Sequence, residues 1–249
     1  MNAVEKMVLT SVVSVVVFLV GCKPKESPPF PAHLRFQGRP IEEFTSVEPV
    51  FSLNNRDTGE RGIRPRIEYH EGRYMIQELV PSNYVLFISI NANPDNPGGY
   101  PGYPGDFFYR DSRLSITADG GVELNIDLQQ VIHLILPQDN AGVMEHWGER
   151  GLAMIAFGTP VEFAWDAVAD GALYHFAIYR MQSEPFKYLD RDVEEATTQA
   201  TRVSLDLAPS EDNEFYLFRL YATKGPFRIG ELKTHGERGY GNDLRFRVK

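Results

Sequence analysis

The chain has 249 residues, with 25 Lys and Arg against 34 Asp and Glu and a formal net charge of −9. At roughly 100–200 residues per domain, this length predicts one or two domains. A composition of 43% apolar and 24% charged residues excludes a disordered chain, a collagen, a coiled coil and a multispan membrane protein. The acidic balance argues against a nucleic-acid partner, which needs a basic face to displace counterions from phosphates. One cysteine, Cys22, cannot form an intramolecular disulfide or a multi-thiolate metal site.

In chain order, a short polar start precedes an uncharged, Val-rich run over residues 7–21. That run is shorter than the ~20 residues of a spanning helix and close to the ~10–14 of a signal-peptide core. It ends in Leu19-Val20-Gly21-Cys22. This resembles the lipobox of bacterial lipoproteins, which implies cleavage before Cys22, diacylglycerol on its thiol and N-acylation. Several acyl chains hold a protein stably on a bilayer, whereas one does so only marginally. The competing reading is an uncleaved membrane anchor with a coincidental cysteine. Lys23 stands where an Asp favours inner-membrane retention, which points to the outer membrane rather than the inner. Residues 1–21 are thus a predicted signal peptide. Residues 22–35 are a predicted Pro-rich tether, extended at ~3.1 Å per residue.

The rest reads as β throughout. Residues 44–51, 66–69, 74–79 and 84–90 are short, β-branched or aromatic runs between Asn, Asp, Gly and Pro clusters. Residues 114–117 and 122–128 alternate at period two around Asp119-Gly120-Gly121 and predict a hairpin. Strand-like runs follow at 131–136, 160–165, 174–179, 201–207, 215–222 and 244–248. Their spacing, about 8–12 residues, suggests antiparallel sandwiches rather than a βαβ fold. The best helix candidate is 191–200. The predicted fold class is all-β, two tandem antiparallel β-sandwiches over 36–129 and 130–249, with the boundary near Gln129 and Gln130.

The first half resembles the carboxypeptidase regulatory-like (transthyretin-like) sandwich through Gly72-Arg73-Tyr74, Ile76, Leu79, Pro81 and Tyr84, with Ser82 where that family has Gly. The motif implies a hairpin with its tip at Pro81 and an inward face of Tyr74, Ile76, Leu79 and Leu86. The second half resembles a fibronectin type III domain. Leu205, Leu207, Pro209, Tyr216, Phe218, Leu220, Ala222 and Gly225 carry that likeness, with Phe163, Trp165, Ala172 and Tyr174. That likeness implies a core Trp165 and Tyr216 near a strand corner. It departs from the family in the 139–159 insert and the Gly-rich 225–241 segment. Neither family implies catalysis, and fold alone does not fix function.

The most distinctive segment is the Gly/Pro-rich stretch 91–111, which carries Tyr100, Tyr103, Phe107, Phe108 and Tyr109 on or near a loop. Two readings stay open. The rings stack on sugars or anchor a protein partner, or two or three of them fold back and plug the sandwich end. Asp95, Asn96, Asp106 and Asp111 offer hard oxygens there, but lack the spacing of a calcium loop, and acidic turn residues usually bond their own backbone. His146-Trp147-Gly148-Glu149 matches the His-x-x-Glu of zinc carboxypeptidases only formally, because the sequence that follows reads as a sandwich. No nucleophile elbow or phosphate loop is present. The sequence therefore predicts a non-catalytic, lipid-anchored cell-envelope protein acting as an interaction or assembly module. The alternative is a glycan-binding lipoprotein using the aromatic loop. No metal and no cofactor are expected. The expected partners are the membrane, through lipidated Cys22, and an envelope protein or glycan. A hydrolase with an unrecognised site is the third reading.

Overall fold

The computed structural model describes residues 25–95, 103–120, 122–137, 143–147, 152–183, 186–236, 239–241 and 243–249. The first half contributes β1 (Phe30–Phe36), β2 (Arg39–Pro40), β3 (Val50–Asn55), β4 (Arg66–His70), β5 (Arg73–Gln77), β6 (Ser82–Ile90), β7 (Phe107–Ile116) and β8 (Leu124–Asp127). Strand β9 (Gln129–Ile132) follows. Then come β10 (Leu134–Leu136), β11 (Val143–Trp147), β12 (Leu152–Phe157), β13 (Val161–Trp165), β14 (Leu173–Ser183), β15 (Phe186–Thr198) and β16 (Arg202–Leu205). The chain closes with β17 (Glu214–Lys224), β18 (Phe227–Leu232), β19 (Thr234–Gly236), β20 (Gly239–Gly241) and β21 (Leu244–Val248). Among the described residues the helical content is one 3-10 turn, Ile41–Glu43. The chain is all-β, with sheets packed face to face.

In the first half, β2-β1-β5-β4, with β8 on β1, lies over β3, β6 and β7. Period-two alternation explains the core. Phe30, Ala32, Leu34 and Phe36 of β1 point in, as do Phe51 and Leu53 of β3 and Tyr84, Leu86, Ile88 and Ile90 of β6. Tyr74, Ile76, Leu79 and Leu86 are all buried, on the inward face predicted for them. In the second half, β10-β13-β16 lies over β15, β14, β17 and β21. Phe163 stacks on Phe218 at 4.2 Å, and Trp165 packs against Tyr174 at 5.5 Å. Full burial of each such ring contributes about 2–3 kcal/mol.

The two halves share one sheet. Strand β9 pairs with β7 through Phe107↔Gln130 and Phe108↔Gln129, and with β18 through Gly230↔Gln130 to Leu232↔Ile132. The predicted boundary residues thus sit inside a strand hydrogen-bonded on both sides. Buried side chains of the two halves form one contiguous cluster.

Several expectations need correction. The two runs beside Asp119 form no hairpin: β7 stays in the large sheet, while β8 runs parallel to β1 from Ala32↔Leu124 to Arg35↔Asp127. Gly120, at φ +69, turns the chain from one sheet to the other. Alternation specifies a half-buried strand, but either facing sheet can accept it. The turn at Pro81 is likewise a corner between sheets, because β5 and β6 lie in different ones. The hydroxyl of Tyr84 closes it by donating to the Val80 carbonyl at 2.8 Å. The predicted helix 191–200 lies largely in strand β15, paired with β14 from Tyr174↔Thr198 to Ser183↔Phe186. Pairing along that whole edge outweighs the helix propensity of its Glu and Ala residues.

The tether is shorter than predicted. Ser27 donates both its backbone N–H and its hydroxyl to the Leu79 carbonyl, at 2.7 and 3.0 Å, and β1 starts at Phe30. The prolines masked that strand in sequence; Pro31 is tolerated because it sits at the strand's start. Residues 44–48 are turn rather than strand, which begins at Val50 just after Pro49. The sheets are also not purely antiparallel: β1/β8, β12/β21 and β9/β18 run parallel.

Candidate functional site

Cys22 and Tyr100 lie outside the described residues, as do Asn96, Gly148 and Glu149. The other loop aromatics divide. Phe107 and Phe108 are on β7, not on a loop, with 2% and 7% of their surface exposed. Phe107 points inward and meets Phe36 edge-on at 5.0 Å. Phe108 points to the opposite face, where the Lys233 ammonium covers its ring at 3.9 Å. Both rings are removed from any surface that stacks on a ligand. Tyr109 is half-buried against the core, and burial pushes its phenol pKa up, with Asp111 adding to the rise. Tyr103 is half-buried in the loop.

Asp106 explains how that loop is held. Its carboxylate is fully buried and accepts the backbone N–H groups of Asn93 at 3.0 Å and Tyr103 at 3.1 Å. Its own carbonyl accepts the N–H of Val131 on β9 at 2.9 Å. Asp111 accepts the Arg113 N–H at 2.8 Å. Asp106 holds a turn and Asp111 a β-bulge within β7, and among the described residues no group of three or more His, Cys, Asp or Glu side chains is placed to hold a metal. His146 lies on β11.

A different place gathers functional groups. The outer face of the large sheet forms an open concavity of about 580 Å³ over β14, β17 and β18, which Arg110 of β7 reaches from the first half. Pairing fixes its layout. His175 lies opposite Tyr221, Ala177 opposite Arg219, and Tyr179 opposite Leu217. On the other edge Ala177 lies opposite Glu195, while Tyr221 lies opposite Glu231 on β18. The alternate positions Tyr174, Phe176 and Ile178 of β14 fill the core, so His175, Ala177 and Tyr179 must face outward.

The His175 ring stacks parallel on Tyr221 at 4.5 Å, with its Nε2 2.9 Å from the Thr223 hydroxyl. The Arg228 guanidinium covers Tyr221 at 4.4 Å and pairs with Glu231 at 2.7 Å. Arg219 leans over Tyr179 at 5.2 Å, with Asp243 at 4.0 Å. Below them, Lys233 approaches Glu231 at 3.4 Å; burial lowers its pKa, and Glu231 partly offsets the shift. Arg110, Arg219 and Arg228 thus face Glu195, Glu231 and Asp243 around aromatic edges. Such a surface offers N–H donors, carboxylate acceptors and ring edges, which is the equipment of binding. The sequence holds the signal for this site in the off-phase residues of 174–179 and 219–221, but not which strands lie side by side.

No family model matches the chain, and no curated protein matches its sequence. Among solved structures it is similar to a DUF4876 family protein from Bacteroides thetaiotaomicron, at 14% identity and a TM-score of 0.27, over 62% of this chain and 36% of that one. The chain therefore spans about a third of that protein's length. A score this low supports no conclusion about function.

Proposed function

We propose that this protein is a non-catalytic, lipid-anchored module of the bacterial cell envelope, which binds an envelope component through the concavity. One observation carries the reading: the concavity gathers paired donors, acceptors and rings on a sheet continuous through both halves. The Cys22 lipobox supports anchoring, and Lys23 supports the outer membrane. The hydroxyl of Tyr216 donates to the Ala208 carbonyl at 2.9 Å, and Trp165 is 1% exposed; both support a fibronectin type III-like second half. The regulatory-like reading of the first half is supported by its buried Tyr74, Ile76, Leu79 and Leu86. A polar concave face lined by paired charges suits recognition better than bond-making. Photo-crosslinking in cells tests this. A benzophenone side chain replacing Tyr179, at the rim of the concavity, is expected to capture an envelope component, while one replacing the exposed Glu68 of β4 captures none. Equal capture, or none from either position, overturns the reading.

A further inference from the structure

We propose that the concavity is a slot for one unit of an electrically neutral saccharide, with Ala177 as its floor. This rests on the concavity being the binding face. Three observations converge on the ligand class.

The first is shape. On β14 the outward residues are His175, Ala177 and Tyr179. At ~3.4 Å per residue, the two rings stand about 14 Å apart along the strand. The methyl group between them leaves the floor low. Arg219, the cross-strand partner of Ala177, leans towards Tyr179 and so away from Tyr221, which keeps the gap open. The volume of about 580 Å³ is that of a small-ligand site.

The second is charge. The slot is lined by three guanidinium groups and three carboxylates. Arg228 pairs with Glu231, and Arg219 faces Asp243. A phosphate, sulfate or polyanion entering here meets the carboxylates at close range, and the chain as a whole carries −9. A cation meets the guanidinium groups. The fields largely cancel, which favours a neutral ligand.

The third is hydrogen-bonding chemistry. Sugar hydroxyls both donate and accept, as do the paired groups here: guanidinium N–H groups donate and carboxylates accept in planar arrays. Across the slot Glu195 and Arg219 stand on either side of Ala177, two strand spacings apart, or ~10 Å. A ring lying over Ala177 reaches both. The C–H surface of a pyranose meets the rims of Tyr179 and Tyr221. The His175–Tyr221–Arg228 stack fixes those side chains in advance, so little ordering cost remains at binding. This places saccharide recognition on the sheet face rather than on the 91–111 loop, whose Phe107 and Phe108 are inside the protein.

The experiment uses the detergent-extracted full chain on an array of neutral and acidic oligosaccharides, followed by calorimetry. Cellotriose, maltotriose and chitotriose serve as neutral probes, and trigalacturonate and inorganic phosphate as anionic ones. Binding of neutral oligosaccharides is expected. Ala177→Phe, which fills the slot from a half-exposed position, and Arg219→Ala are each expected to weaken it by roughly tenfold or more. Unchanged thermal unfolding of both variants separates loss of the site from loss of the fold. Binding of the anionic probes alone, no binding of any neutral oligosaccharide, or full affinity in Ala177→Phe overturns the proposal. Crosslinks from position 179 without saccharide binding refute the ligand class and leave the binding face standing. Absence of both refutes the two together.

Discussion

Each half is closed by a tyrosine whose hydroxyl donates back to the main chain, and removing those hydroxyls tests whether the halves form one unit. Tyr216 donates to Ala208 at 2.9 Å and Tyr84 to Val80 at 2.8 Å, and both rings are 1% exposed. Phenylalanine keeps the ring and deletes only the hydroxyl's bonds, which for Tyr84 include one with the Asn55 side chain. A net hydrogen bond is worth about 0.5–1.5 kcal/mol, and stranding its buried partner adds about 1–3 kcal/mol. Ala208 is exposed, so its carbonyl can turn to water, and Tyr216→Phe should cost about 1 kcal/mol. Val80 is half-buried, so Tyr84→Phe should cost about 1–2 kcal/mol. For a chain of this size, 1 kcal/mol moves Tm by about 2–4 °C. Differential scanning calorimetry is expected to show one transition, lowered by either variant, because β9 is hydrogen-bonded into both halves. Tyr69→Phe, at a ring 55% exposed, is the control and should move Tm by less than about 2 °C. Two transitions, each moved by only one variant, refute the shared-sheet reasoning. No shift from either variant refutes the role of the corners.

Other outcomes follow from single sites. Gly230 lies on the seam, where an added Cβ would stand 2.9 Å from Val168 Cγ2 and 3.1 Å from Ile132 Cγ1; Gly230→Ala should therefore destabilise the protein by about 1–3 kcal/mol in urea unfolding, and wild-type stability contradicts the close packing. Asp106→Ala removes the acceptor for two backbone N–H groups and should cost about 2–3 kcal/mol, with faster hydrogen exchange at Asn93 and Tyr103; unchanged exchange at both amides counts against the clamp. Alkali should weaken the fold. Burial raises the phenol pKa of Tyr74, helped by its hydrogen bond to Glu42, and burial also raises those of Tyr84, Tyr109, Tyr174 and Tyr216. The folded state therefore keeps these protons above the ordinary value near 10, and stability present below that pH is lost as pH climbs through the raised values. Lys233, whose pKa burial lowers, contributes in the opposite sense, gaining stability as pH rises towards the ordinary lysine value. Tyr74→Phe should flatten the fall of Tm above pH 10, and a curve with the wild-type slope contradicts this assignment. Cys22→Ser should move the protein from the membrane to the soluble fraction; a cleaved but membrane-retained variant contradicts lipid anchoring.

The sequence announced strands more reliably than neighbours. Tyr74, Ile76, Leu79 and Leu86 are buried on the face expected of them, and Trp165 lies inside the core beside Tyr174 and Phe218. Pairing was hidden wherever a turn was read as a hairpin. A Gly-rich tight turn such as that at Gly120 serves equally well to change sheets. Edge strand β15 was hidden by helix-forming Glu and Ala residues, whose local preference is smaller than the energy of a paired edge. The candidate site was hidden for a related reason. His175, Ala177, Arg219 and Glu195 come from three strands, and only the register of β15, β14 and β17 brings them into one row or adjacent rows. The 91–111 loop drew attention through composition, yet the strand that follows it carries two of its rings inside.

The binding face itself can be read by chemical footprinting in cells. Phenylglyoxal modifies accessible guanidinium groups, and the side chains of Arg219 and Arg228 are 46% and 45% exposed in the isolated chain, against 58% for Arg66 on the distant edge strand β4. If the concavity is occupied in the envelope, Arg219 and Arg228 are modified several-fold more slowly in cells than in the purified protein, while Arg66 reacts equally in both. Equal reactivity of all three arginines in both settings contradicts a binding role for the concavity.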